Sequence, residues 1–151
     1  MITRKYYPKW TMRFLALAQQ ISTWSKDPST KCGAVIVDDD RKIISTGYNG
    51  FPAGMDDTRL KDREFKVKHV IHAEMNAIFN ARCDIRGMTL YINMPPCSEC
   101  AKLIGAAGIK KVIWLEGDAE FIKRWNSHDA EEVLNACGID ITSIPRDAQM
   151  G

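Results

Sequence analysis

The chain has 151 residues, 45% hydrophobic and 26% charged, the size and balance of about one ordinary globular domain with its own core. Its 21 Lys and Arg against 19 Asp and Glu leave a formal charge of +2, too even for an obligate binder of nucleic acid or of a membrane surface. No apolar run approaches the ~18 residues of a membrane span, and the first residues lack the apolar stretch of a signal peptide. The expectation is a single cytoplasmic domain over residues 1–151, with neither a membrane nor a nucleic acid as partner.

In chain order, Trp10, Phe14, Leu17, Ile21 and Trp24 make one apolar stripe, which predicts a helix over residues 8–25. Pro8 suits its first turn, and Asp27-Pro28 stops it. Strands follow at 33–38 and 42–48 around the acidic turn Asp38-Asp39-Asp40-Arg41; contiguous Val35, Ile36 and Val37 predict that the first is buried on both faces. Residues 49–69 read as a long irregular and functional loop, first Gly- and Pro-containing, then dense in charge. Beyond it the chain alternates: helix 72–83, strand 88–93, helix 97–107, strand 111–116, helix 128–137 and strand 139–144. Asp129 with Glu132 resembles a capping box at the start of the last helix, and Gly138 stops it. The first two strands fit an antiparallel hairpin and the last three fit parallel crossovers, so the predicted fold is α/β, three layers around a five-stranded mixed sheet.

Five cysteines, an odd number in a reducing compartment, argue against a disulfide framework. Only Cys97 and Cys100 have metal-like spacing; Cys32, Cys83 and Cys137 read as small buried residues. His72-Ala73-Glu74 opens one helix, and Pro95-Pro96-Cys97-Ser98-Glu99-Cys100 opens the next, one strand later. His-x-Glu followed by Pro-Cys-x-x-Cys is the zinc-deaminase signature. One imidazole and two thiolates suit Zn²⁺ and leave its fourth tetrahedral position for water. Both sets begin helices, where partial positive charge favours thiolate. Both also follow strands at the sheet end where open α/β folds bind ligands. Glu74 is the candidate catalytic residue, taking a proton from water and returning protons to the ring and the leaving amine. That role comes from the pattern, since residues two apart on a regular helix do not share a face. A closed structural site that adds His69 to His72, Cys97 and Cys100 is the alternative. Its His-x-x-His spacing is tighter than zinc fingers use, and a full core has little need of a metal staple.

With these motifs the chain resembles the deoxycytidylate (dCMP) deaminases of the cytidine deaminase superfamily, from about Trp10 to Pro145. The resemblance rests on Ser25-Lys26-Asp27-Pro28-Ser29-Thr30, Gly47-Tyr48-Asn49-Gly50-Phe51-Pro52, His72-Ala73-Glu74-Met75-Asn76-Ala77-Ile78 and Pro96-Cys97-Ser98-Glu99-Cys100-Ala101-Lys102. It implies a cytidine-deaminase-like fold, one catalytic zinc per subunit, and hydrolysis of dCMP to dUMP and ammonia, which feeds thymidylate synthesis. By analogy Asn49 contacts the deoxyribose, the backbone around Ala73 orients the pyrimidine, Ser25, Lys26, Ser29 and Thr30 form a phosphate-binding loop, and Trp125 stacks over the base or lines the pocket. Asn49 also reads as a turn residue, the 25–30 segment as a solvated loop, and Trp125 as core. The family further implies a homohexamer activated by dCTP and inhibited by dTTP, with Mg²⁺ on the triphosphate. Gly47, Tyr48 and Gly50 would lie near that effector, and Lys66 and Lys68, with Arg59, Lys61 and Arg63, would receive its phosphates; an ordinary charged surface is the competing reading. A tRNA adenosine or free-nucleoside deaminase and a zinc-stabilised nucleotide-binding module without catalysis are the rival functions. The even charge argues against tRNA, and Glu74 against the inert module.

Overall fold

A computed structural model describes residues 6–125 and 127–150. Its elements are β1 (Tyr6–Tyr7), α1 (Lys9–Ser22), β2 (Gly33–Val37), β3 (Ile43–Tyr48), a 3₁₀ turn (Asp57–Lys61), α2 (Arg63–His69), α3 (Ala73–Asn80), β4 (Thr89–Ile92), α4 (Ser98–Ala107), β5 (Lys111–Leu115), α5 (Ala119–Arg124), α6 (Ser127–Ala136), β6 (Asp140–Ile144) and β7 (Gln149–Met150). Five strands form one mixed sheet in the order β3-β2-β4-β5-β6. β2 is antiparallel to both β3 and β4, while β4, β5 and β6 run parallel. β1 and β7 form a separate parallel pair. No helix of the described residues is long and apolar enough to cross a membrane.

The contiguous β-branched run of β2 is buried throughout, and the pleat explains how it serves two layers. Ala34 and Ile36 face one cluster with Ala73 and Ala77 of α3, Ala101 and Ile104 of α4, and Leu134 of α6. Val35 and Val37 face the other, with Phe14, Leu15, Ala18 and Ile21 of α1. The three-layer α/β prediction therefore holds, with α1 on one face and α3, α4 and α6 on the other.

Four local expectations change. α1 ends at Ser22, and its buried stripe is Phe14, Leu15, Ala18, Ile21 and Ser22; Trp24 lies past the helix end and is 53% exposed. Residues 49–69 are not irregular throughout: Asp56 accepts from Thr58 N and Asp62 from Phe65 N, and these caps start the 3₁₀ turn and α2. Asp118 likewise caps α5 by accepting from Phe121 N at 2.8 Å, an element the sequence pattern does not predict. α6 begins at Ser127, so Asp129 sits in its first turn and is not its cap. Gly138, with φ +73°, follows its end as expected.

The strand directions decide where the site lies. Because β2 is antiparallel to its neighbours, its first residue sits beside the last residues of β3 and β4: Gly33 pairs with Tyr48, and Ala34 with Ile92. Segments 25–32, 49–50, 93–97 and 116–125 therefore meet at one sheet edge. Asn93, 1% exposed, ties that edge together: its Oδ1 accepts from Gly33 N at 2.8 Å and its Nδ2 donates to Lys31 O at 3.2 Å.

Candidate active site

His72 and Cys97 both stand at helix N-caps in extended conformation, with φ/ψ of −72/158° and −81/169°. His72 is therefore outside the helical repeat, which is how it and Glu74, two residues on, reach one pocket despite the helical wheel. His72 Nδ1 lies 3.3 Å from Cys97 Sγ and 3.3 Å from Cys100 Sγ, and the three ligand atoms lie within 4.8 Å of one another. Zn–S of about 2.3 Å and Zn–N of about 2.0 Å at tetrahedral angles require roughly 3.6 Å between nitrogen and sulfur. The cluster is within a few tenths of an ångström of that, so its donor chemistry and its spacing both fit zinc. His69 does not join: its Nδ1 donates to Phe65 O at 2.8 Å and its ring stacks on Phe65 at 4.0 Å. Among the described residues the cluster therefore has three protein ligands, His72, Cys97 and Cys100.

Charge is distributed unevenly across these groups. The Cys97 thiol is pulled down to about 4, chiefly by its interaction with Cys100 and also by His72 and the Cys100 N–H, against burial. Cys100 moves the other way because of Cys97 and burial. His72 is raised, first by its contact with the Cys97 sulfur. Glu74, 5% exposed, is raised by burial. A carboxyl whose proton affinity is raised by burial suits a group that both accepts and returns protons.

One pocket holds His72, Glu74 and Cys97 together with Thr30, Asn49, Ala73 and Trp125 from the predicted substrate set. Trp125 meets the His72 ring edge-on at 5.4 Å, so it is pocket wall rather than deep core. Asn49, 6% exposed, is heavily engaged: its Oδ1 accepts from Cys32 N at 2.9 Å and its Nδ2 donates to Thr30 O at 2.8 Å. Ser25, buried, donates to Asn49 O at 2.8 Å. Lys26 does not enter this pocket: it is exposed and pairs with Asp57 at 2.9 Å beside a neighbouring cleft that also contains Tyr48, Asn49, Gly50 and Asn76. Gly47 lies against the backbone of α3, and Gly50 exchanges backbone bonds with Ile71.

The cations expected to form one receptive loop are dispersed. Lys68 is exposed and 3.7 Å from Glu64, and Arg59 lies over the Phe65 ring at 3.5 Å. Lys66 instead turns inward to line the pocket with Glu74. It donates to Ser29 Oγ at 2.7 Å and to Asp27 Oδ1 at 3.2 Å, and Asp27 is 2% exposed. Sequence reasoning misses Asp27, Lys66 as a pocket residue, Val67, Val70 and Phe121, all of which line it. A signal for Asp27 exists, since Asp followed by Pro-Ser-Thr suits an Asx turn that accepts from Ser29 N and Thr30 N. None exists for Lys66, whose partners are 37 and 39 residues away. The expectation of three buried cysteines also changes: Cys83, in the bend beyond α3, and Cys137, just past α6, are exposed, whereas half-buried Cys32 lines the pocket.

The sequence pattern of the cytidine and deoxycytidylate deaminase zinc-binding region matches residues 8–116. The chain belongs to this deaminase family. As a member it is a hydrolytic deaminase, and its His72-Cys97-Cys100 cluster falls within the matched zinc-binding region. The "Uncharacterized deaminase in luxG 3'region" of Aliivibrio fischeri is 39% identical over 142 residues, covering 92% of this chain and 96% of that protein. The deoxycytidylate deaminase of Mus musculus is 40% identical over 141 residues, covering 88% of this chain and 75% of that protein. The crystal structure of the dCMP deaminase of cyanophage S-TIM5 in apo form aligns with a TM-score of 0.74 at 26% identity, covering 91% of this chain and 99% of that one.

Proposed function

We propose that this deaminase hydrolyses dCMP to dUMP and ammonia, with zinc held by His72, Cys97 and Cys100. The observation that carries the reading is a buried carboxylate, Glu74, sharing one pocket with His72 and Cys97 of the His-Cys-Cys cluster; the relatives named deoxycytidylate deaminases supply the substrate. Bound there, zinc supplies Lewis acidity that makes water a nucleophile near neutral pH. Glu74 takes a proton from water as its oxygen attacks C4 of the cytosine. It passes that proton to N3, then moves the remaining proton of the new C4 hydroxyl to the amine as the C4–N bond breaks and the C4 carbonyl forms, so that water and dCMP become dUMP and ammonia. Val67, Val70, Phe121 and Trp125 provide apolar walls that restrict water around the base.

The same reading extends to regulation in a cytoplasmic homohexamer: dCTP as activator and dTTP as inhibitor, with Mg²⁺ on the triphosphate, at the cleft of Tyr48, Gly50 and Lys26 beside the catalytic pocket. Support comes from Asn49, which is shared by both cavities and gives an effector a route to the substrate. The test follows the absorbance lost on deamination of dCMP, deoxycytidine and cytidine by zinc-loaded protein, with and without dCTP. Preference for dCMP and a rise in its turnover with dCTP at low substrate are expected. Preference for another substrate overturns the dCMP assignment, and hyperbolic kinetics indifferent to both triphosphates overturns the regulation.

A further inference from the structure

The pocket contains one cationic side chain that neither the metal cluster nor proton transfer employs. Lys66 is 8% exposed, in a segment otherwise rich in solvated charge. It is the only Lys or Arg among the described residues lining the pocket that contains Glu74. Lysine is almost never buried unless paired, because desolvating an ammonium is costly. An ammonium has three N–H donors, and two are taken here, by Asp27 Oδ1 and Ser29 Oγ. One donor remains for a pocket occupant.

Asp27 is not reserved for this lysine. Its Oδ1 also accepts from Ser29 N at 2.9 Å, Ser29 Oγ at 3.1 Å and Thr30 N at 3.2 Å, and its Oδ2 faces Asn49 Nδ2 at 3.4 Å. Much of the carboxylate charge is thus answered before Lys66 is counted, and the ammonium retains positive field for a second anion. The rest of the pocket is unfavourable to such an anion: Glu74 and the Cys97 sulfur are negative or become so, and Val67, Val70, Phe121 and Trp125 are uncharged.

We propose that Lys66 is a specificity-determining residue that contacts the 5′-phosphate of the substrate, with Asp27 and Ser29 fixing the position of its ammonium. This rests on the deaminase reading above and deepens it, by assigning the distinction between a cytosine nucleotide and its nucleoside to a residue outside the expected 25–30 phosphate loop. A lysine that only neutralises Asp27 would make the same two bonds, and the test separates the two roles.

Lys66→Met is expected to lower kcat/KM for dCMP by about 10- to 100-fold, the scale of a lost charge-assisted bond, and to leave deoxycytidine within about two-fold. The double variant Asp27→Asn/Lys66→Met removes both charges and so removes any unpaired carboxylate. Continued selective loss of dCMP in the double variant supports phosphate contact; recovery of dCMP turnover to the wild-type level shows a counter-ion only and overturns the proposal. An equal fall for both substrates at unchanged zinc content also overturns it. Calorimetric titration of dUMP and deoxyuridine gives a readout independent of turnover. Wild-type protein is expected to prefer dUMP, and Lys66→Met to lose that preference; a wild type that binds both alike contradicts the role of Lys66. Should wild-type protein deaminate neither dCMP nor deoxycytidine, the proposed function fails, while the binding ratio still decides Lys66.

Discussion

Gly47 offers a direct way to test how the sheet sets the catalytic helix. A Cβ added there would stand 2.4 Å from Ala77 N, 2.5 Å from Ala73 O and 2.9 Å from Asn76 C, all backbone atoms of α3. Ordinary non-bonded contacts to carbon are about 3.5 Å or longer, so Gly47→Ala forces β3 and α3 apart by about 1 Å. Overpacking of this kind costs about 1–3 kcal/mol, which in a chain of this size lowers Tm by roughly 2–12 °C. α3 carries Glu74 and is capped by His72, and a misplacement of about 1 Å at reacting groups costs on the order of 100-fold in rate. Gly50→Ala, three residues away, is the control, because a Cβ there meets nothing within 4 Å. Thermal melts and dCMP turnover of the two zinc-loaded variants measure both effects. Gly47→Ala with wild-type Tm and turnover, or Gly50→Ala equally impaired, would refute the close-approach argument.

Stripping the metal with a chelator is expected to abolish turnover while a cooperative thermal transition remains, since two apolar clusters on opposite faces of the sheet hold the fold; zinc should restore activity, and unfolding on chelation would point to a structural metal instead. Asp27 sets an acid-side dependence. Burial pushes its carboxyl up, but the N–H groups of Ser29 and Thr30 and the Lys66 ammonium outweigh burial and hold it below the ordinary aspartate range. The native state then binds fewer protons than the unfolded state in that window, so its contribution is full above about pH 4 and is lost as pH falls further. Urea denaturation across that window should show a flatter acid limb for Asp27→Asn, and parallel limbs for variant and wild type would contradict the assignment.

The parts legible in the sequence were those whose signals are local. Val35, Ile36 and Val37 announce a strand buried on both faces, and His72 to Glu74 with Cys97 and Cys100 announce a metal cluster through spacing alone. α2 and α5 escaped because short helices carry too few apolar positions for a period to show; their capping aspartates, Asp62 and Asp118, were the readable sign. Asn93 and Lys66 escaped for a different reason. An asparagine at a strand end and a lysine amid charges look solvated, and only the antiparallel placement of β2, which brings segments 25–32 and 93–97 to one edge, gives them buried partners. That topology is a property of the whole sheet, not of any window along the chain.

The central claim is that Glu74 turns a zinc site into a deaminase, and Glu74→Gln tests it most directly. The amide keeps the shape of the buried side chain but cannot accept or return a proton. Zinc content measured on the same sample that is assayed for dCMP turnover should stay at the wild-type level, while turnover falls by about 10²- to 10⁴-fold. Wild-type turnover in a zinc-replete Glu74→Gln protein would contradict the account.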